Sequence, residues 1–265
     1  MVKKALLISL VLVFEILLSS KVLVAAELPV IVFAVNAPGS PPYAYFDTET
    51  QSYQGLVRDF FDFTANKGLL TAEYVDSNRK RSEQLLAEGK IDMFLANPNW
   101  LISPADFVAS NSILAHRSFL YSLYEFPVDF LPANTIGKRI CTRSGFVYSG
   151  LEDLFKHNAA VRVDSSSQAA MAKMLVKHRC DYAVMNDYNA ALTFSDESFC
   201  SLSIHQSPSP TSSVDLVFMM QRKMQAIKIL IDEQLQAYIS SGKFDASLAI
   251  HSNGRSFPIL PSCKF

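Results

Sequence analysis

The chain lacks the short motifs that would mark a familiar reaction. It has no Gly-x-Ser-x-Gly nucleophile elbow, no glycine-rich phosphate loop and no His-Glu-x-x-His metal motif. Of its four cysteines none forms a Cys-x-x-Cys pair, and of its five histidines only His178 stands close to a cysteine, Cys180. A zinc site is not expected from that spacing. Beyond residue 26 no eighteen-residue apolar run occurs, so the sequence offers no later membrane-crossing helix. No catalytic centre and no cofactor site is visible.

What is present at the start points to export. Lys3 and Lys4 precede an apolar run over 5–14, and Val24, Ala25 and Ala26 supply the small residues a signal peptidase accepts. Residues 1–26 therefore read as a signal peptide, with Glu27 as the first mature residue. An uncleaved anchor is the competing reading, but Glu15 and Lys21 would each cost roughly 2.5–3.5 kcal/mol near a membrane centre. The first cysteine, Cys141, is too distant to carry a lipid at the cleavage site. A soluble exported chain is expected. Three of the 24 basic and one of the 25 acidic residues lie in the leader, so the remainder is left with a net charge near −3. That balance argues against nucleic acid or any other polyanion as the main partner.

All four cysteines fall in the exported part, where oxidation is the rule. Three pairings are possible. Cys180 with Cys200 is favoured because their segments are neighbours in sequence, and a loop of that size gains roughly 3 kcal/mol on closure.

Strand and helix signals alternate, the pattern of an α/β protein with mainly parallel strands. Strands are predicted over 30–35, 72–75, 91–96, 139–142, 161–163, 181–185 and 215–219. Helical spacing of apolar residues is read from Gly55 to Gly68 and over 80–88, 149–156, 168–177 and 225–239, the last ended by Gly242. The arrangement in 139–185 echoes that in 30–96, which suggests two similar lobes. Residues 207–213, Ser-Pro-Ser-Pro-Thr-Ser-Ser, have too little apolar surface for a core and read as a crossing between them.

The order of Pro41-Pro42-Tyr43, Gly55 to Phe60, Gly89 to Asp92, Asp181 to Val184 and Gly242 to Asp245 resembles that of the family 3 periplasmic solute-binding proteins, the amino-acid-receptor branch of transport systems. Pro41-Pro42-Tyr43 and Gly55-Leu56-Val57-Arg58-Asp59-Phe60 match the family's Pro-Pro-Phe…Gly-Phe-x-x-Asp-Leu. Gly89-Lys90-Ile91-Asp92, Asp181-Tyr182-Ala183-Val184 and Gly242-Lys243-Phe244-Asp245 match later segments of the pattern. Asn78-Arg79-Lys80-Arg81-Ser82 is similar to the Pro-Trp-Lys-Arg-Ala of a transporter-orphan subgroup, with Arg79 in place of its aromatic. The resemblance implies a two-lobed fold, each lobe a mainly parallel sheet flanked by helices, joined by two hinge crossings. Lobe one would combine 27–116 with 214–265, and lobe two would span 117–213. It further implies a monomer that holds an amino-acid-like or carboxylate-bearing ligand in the cleft, working with an inner-membrane permease or a membrane sensor. A dehydratase-like enzyme on the same fold is the alternative from another class, with His116 and His205 near the crossings as its only candidates.

Relatives grip the ligand carboxylate with an arginine about a dozen residues after Asp92, where this chain has Ile102-Ser103-Pro104-Ala105. The cations that could replace it are Arg79 and Arg81, at a helix entrance where the dipole disfavours positive charge, and Arg143, with Ser144, in a second-lobe loop. Asn97, Asn99 and Trp100 follow a strand at the cleft edge; a local turn is the competing role for the asparagines and lobe packing for Trp100. Tyr43 and Tyr45 would form an aromatic lid or pack in the core. Asn186 and Asp187 end a strand where relatives hold a ligand amino group, or else cap the next helix.

Overall fold

Seven residues rich in valine and phenylalanine form strand β1 (Val30–Asn36), buried along most of its length. A small three-stranded sheet follows, β2 (Gly39–Ser40), β3 (Ala44–Asp47) and β4 (Ser52–Gln54). Helix α1 (Leu56–Ala65) buries Leu56, Val57, Phe60, Phe61 and Thr64 on one face, as its spacing predicts. The helix begins at Gly55, whose φ of 116° and close approach leave no room for a side chain. A Cβ there would lie 2.5 Å from the Tyr43 carbonyl oxygen. Next come β5 (Thr71–Ser77), α2 (Arg79–Ala87), β6 (Met93–Ala96), β7 (Phe107–Ala109) and the long β8 (Leu114–Ser122). The structure is a computed structural model and describes residues 27–199 and 201–252; the expected leader, Cys200 and Cys263 lie outside the described residues.

The second half repeats the scheme with β9 (Arg139–Arg143), α3 (Glu152–Lys156), β10 (Val161–Ser165), α4 (Gln168–Val176), β11 (Tyr182–Asn186), α5 (Asp187–Phe194) and β12 (His205–Gln206). The chain then returns along β13 (Ser212–Gln221) into α6 (Gln225–Ser240) and α7 (Lys243–His251). Each half holds a parallel triplet, β5-β1-β6 in the first and β10-β9-β11 in the second. β13 flanks β6 and β8 flanks β11, both antiparallel.

The two long strands join the halves by changing partners midway. Residues 114–118 of β8 pair with 212–216 of β13; beyond that stretch β8 runs on beside β11 and β13 beside β6. Burial follows the change of partner. Ala115, Arg117, Ser213 and Asp215 are exposed where the strands meet, whereas 118–122 and 216–221 are buried on both faces. The predicted crossing at 207–213 thus leads directly into a strand, and the strand itself carries the chain across.

Each half has its own cores. Phe33, Phe60, Phe61, Phe218 and Tyr238 centre the first, with Phe33 and Phe218 ring centroids 5.8 Å apart, edge to face. Tyr121, Met171, Met185 and Phe194 centre the second, and no residue of these clusters is shared with the other half. The expected Cys180–Cys200 disulfide is not formed: Cys180 is bonded to Cys141, 39 residues earlier. Parallel strands cannot be joined by a tight turn, so neighbours in the sheet come from distant segments. Here β9 lies beside β11, opposing Cys141 to Ala183 and bringing Cys180, just ahead of β11, within reach. Among the described residues no helix is long and apolar enough to cross a membrane.

Candidate functional site

A cavity of about 130 Å³ lies where the two halves meet. Strand C-terminal ends and helix N-termini supply its walls, the arrangement in which open α/β sheets receive ligands. Asn36 ends β1, Arg143 ends β9 and Asn186 ends β11, while Arg79 opens α2 and Gln168 opens α4. Tyr43, Trp100 and His116 form an aromatic wall from one side, and Phe146 and Tyr148 from the other. Leu95, Leu216 and Val184 add apolar surface.

Five sequence candidates line this cavity: Tyr43, Arg79, Trp100, Arg143 and Asn186. Arg79 is half buried and its Nη1 has no hydrogen-bond partner. Burial lowers its pKa, and the charge of Glu83 one turn later only partly opposes this. Arg143 spreads its guanidinium over the Phe146 ring at 4.9 Å, and burial lowers its pKa too, against the opposing influence of Tyr148. Tyr148 fixes the turn beneath it, its hydroxyl accepting the Arg143 amide N–H at 2.9 Å. Neither guanidinium forms a salt bridge among the described residues.

The Tyr43 hydroxyl lies 3.0 Å from His116 Nδ1, and Trp100 meets the His116 ring edge to face at 5.3 Å. Burial raises Tyr43 well above the ordinary tyrosine pKa, helped by the charges of Asp187 and Tyr188, so its hydroxyl keeps its proton and donates. Burial also pushes His116 down to about 4. The ring is therefore neutral at ordinary pH, accepting at Nδ1 and protonated at Nε2.

The other candidates are engaged elsewhere. Asn97 donates to the Asp215 carbonyl at 2.7 Å and accepts the Asn99 amide N–H at 2.9 Å, a turn that ties the end of β6 to β13. Asn99 and Ser144 are exposed and do not line the cavity. The Arg81 side chain is exposed, and its amide N–H is capped by Asn78 Oδ1. Tyr45 reaches His251 Nδ1 at 3.1 Å, helping to hold the last helix. Asp187 is bound by Arg117.

Residues not singled out from the sequence complete the site. Gln168 places a buried Oε1 without a partner at the cavity, and Asn36, Ser82 and Ser118 add polar groups. Asn36 and Gln168 share a legible signal, being the polar residue at a buried strand's end and at a helix's first position. Ser82 and Ser118 carry no such mark.

No family model and no curated protein sequence matches this chain. Solved structures do match. An arginine-binding protein variant from T. maritima superposes with a TM-score of 0.68 at 15% identity, over 84% of this chain and 95% of that one. A substrate-binding protein of an ABC uptake transporter from Streptococcus pneumoniae, with bound histidine, gives 0.65 at 16% identity, over 84% and 92%. A periplasmic binding protein from Salmonella typhimurium, described for its high arginine specificity, gives 0.66 at 12% identity, over 84% and 99%. The chain therefore has the two-lobed fold of the substrate-binding proteins of amino-acid ABC transporters.

Proposed function

We propose that this chain is an exported solute-binding protein that captures a small polar molecule, amino-acid-like or carboxylate-bearing, between its halves, for uptake or sensing. The division into 27–116 plus 214–265 and 117–213 is supported by hydrophobic cores that do not mix across it. One observation carries the reading: Arg79 from the first half and Arg143 from the second line one cavity with no salt-bridge partner among the described residues. A guanidinium kept half buried without a partner is costly unless an anion completes it. An anion held by both halves would also favour their closed arrangement, because it binds the closed state more tightly than the open one.

The same site supports binding over catalysis. His116, its one imidazole, is too weak a base to take a proton near neutrality. The fold further supports a periplasmic setting and a membrane permease or sensor as partner, and the same proposal has the chain act as a monomer.

A thermal-shift series with amino acids and carboxylates tests the reading. A ligand at about 100 times its Kd adds about 2.7 kcal/mol to stability, and small-angle scattering of the same samples should contract. If no compound raises the melting temperature or contracts the profile, the reading fails.

A further inference from the structure

The charge lining the cavity is of one sign, and this decides which ligand chemistry fits. Arg79 and Arg143 line it, and among the described residues no aspartate or glutamate does. Asp164 and Glu152 approach the lining residue Tyr148 but are paired with Arg162, and two further carboxylates need an account. Asp187 perturbs Tyr43 electrostatically, but Arg117 holds its Oδ2 through Nε and Nη2, and the Tyr188 amide N–H occupies Oδ1. Glu83 is outside the lining: its Oε1 accepts the Ile102 and Ser103 amide N–H groups at 2.7 and 2.9 Å, its buried Oε2 has no hydrogen-bond partner among the described residues, and its charge acts on Arg79 as a partial counter-charge. An ammonium group entering the site would meet two cations and find no anion.

The polar and apolar surfaces divide similarly. The lining also includes Tyr43, Trp100, Phe146 and Leu216, apolar surface shared with two cationic sites contributed from opposite halves. Resting on the solute-capture reading above, we infer that the ligand is a small organic dicarboxylate without an amino group. One carboxylate sits on Arg79, the other on Arg143, and the carbon chain packs between the aromatic walls. Each guanidinium offers a planar fork that matches a carboxylate. Gln168 Oε1, buried and unpartnered at the same cavity, suits a hydroxyl on the ligand chain.

Isothermal titration of the mature chain tests this, with succinate, glutarate and adipate against butyrate, valerate, L-glutamate and L-arginine. One dicarboxylate should bind at least roughly 30-fold more tightly than its monocarboxylate counterpart, the ratio expected for one buried charge-assisted contact. Arg79→Gln and Arg143→Gln should each lower that affinity by a similar factor while leaving monocarboxylate affinity changed in only one of the two proteins. Far-UV circular dichroism of both variants confirms that they are folded. Equal binding of L-glutamate or L-arginine overturns the inference but leaves solute capture standing. Dicarboxylate binding that survives either substitution also overturns it. If nothing binds, both readings fall together.

Discussion

Arg117 donates from Nε at 3.0 Å and from Nη2 at 2.7 Å to a single oxygen of Asp187. The carboxylate is nearly buried, with 11% of its side chain exposed, whereas the arginine is 55% exposed. The pair links the stretch where β8 crosses between halves to the first residue of α5. The pair engages the charge of the acid that follows the cavity residue Asn186, so one ion pair on the hinge bears on the electrostatics of the site.

Arg117→Met should therefore destabilise the protein by about 1–2 kcal/mol. Removing one partner strands a carboxylate in a dry setting, but the arginine's exposure keeps the loss below that of a fully buried pair. Arg117→Met/Asp187→Asn should recover most of the loss in urea melts. The single variant should also bind ammonium-bearing ligands better relative to dicarboxylates. Equal stability of single and double variants would show that the pair is not coupled.

His116 gives a pH dependence with a defined direction. Burial holds it at about 4 in the folded protein against 6.5 when unfolded. Above about pH 6.5 the ring is neutral in both states and the protein has its full stability. As pH falls towards 4 the unfolded chain takes up a proton that the folded site refuses, so stability drops by about 3 kcal/mol. The groups facing the ring are Tyr43 and Trp100. His116→Gln should flatten the slope of melting temperature between pH 6.5 and 4. An unchanged slope would assign the acid sensitivity to other groups.

Much of this architecture could be read from the sequence, because most elements bury one side and declare their period. The helix after Gly55 and the strands at 30–35 and 181–185 stand close to their predicted bounds. β8 was not legible. Its first half carries His116 and Arg117 and buries no continuous face, since its neighbours are another strand and a cavity. The disulfide misled for a related reason, since pairing across parallel strands ignores distance along the chain. At the site, Arg79 and Arg143 were legible as cations, one at a helix entrance and the other in the loop after a strand. Asn97 and Asp187 carried the same signals and are used for structure, and only the positions of Asp215 and Arg117 separate the two outcomes.

The Cys141–Cys180 bond closes a loop of 39 residues. A loop of that length should contribute about 4 kcal/mol through restriction of the unfolded chain. Cys141→Ala/Cys180→Ala should accordingly melt about 10 °C lower. Both cysteines are buried, so reductant added to the folded protein should act slowly and only with opening of the second half. A variant that keeps its melting temperature would mean the unfolded chain gains nothing from the missing bond.

The two cavity arginines should oppose stability and function in the free protein. Each guanidinium is partly desolvated with no salt-bridge partner among the described residues, a cost carried until an anion arrives. Arg143→Met retains the contact with Phe146 through an apolar chain and removes the charge. It should leave the ligand-free protein as stable as before or up to about 1 kcal/mol more stable, while weakening stabilisation by dicarboxylates. Asn97→Ala supplies the contrast. It removes the bonds to Asp215 and Asn99, and should cost about 1–2 kcal/mol while leaving carboxylate affinity unchanged. Melts of both variants with and without ligand separate the two kinds of residue. If Arg143→Met destabilises the free protein as much as Asn97→Ala does, Arg143 is holding the fold rather than awaiting an anion.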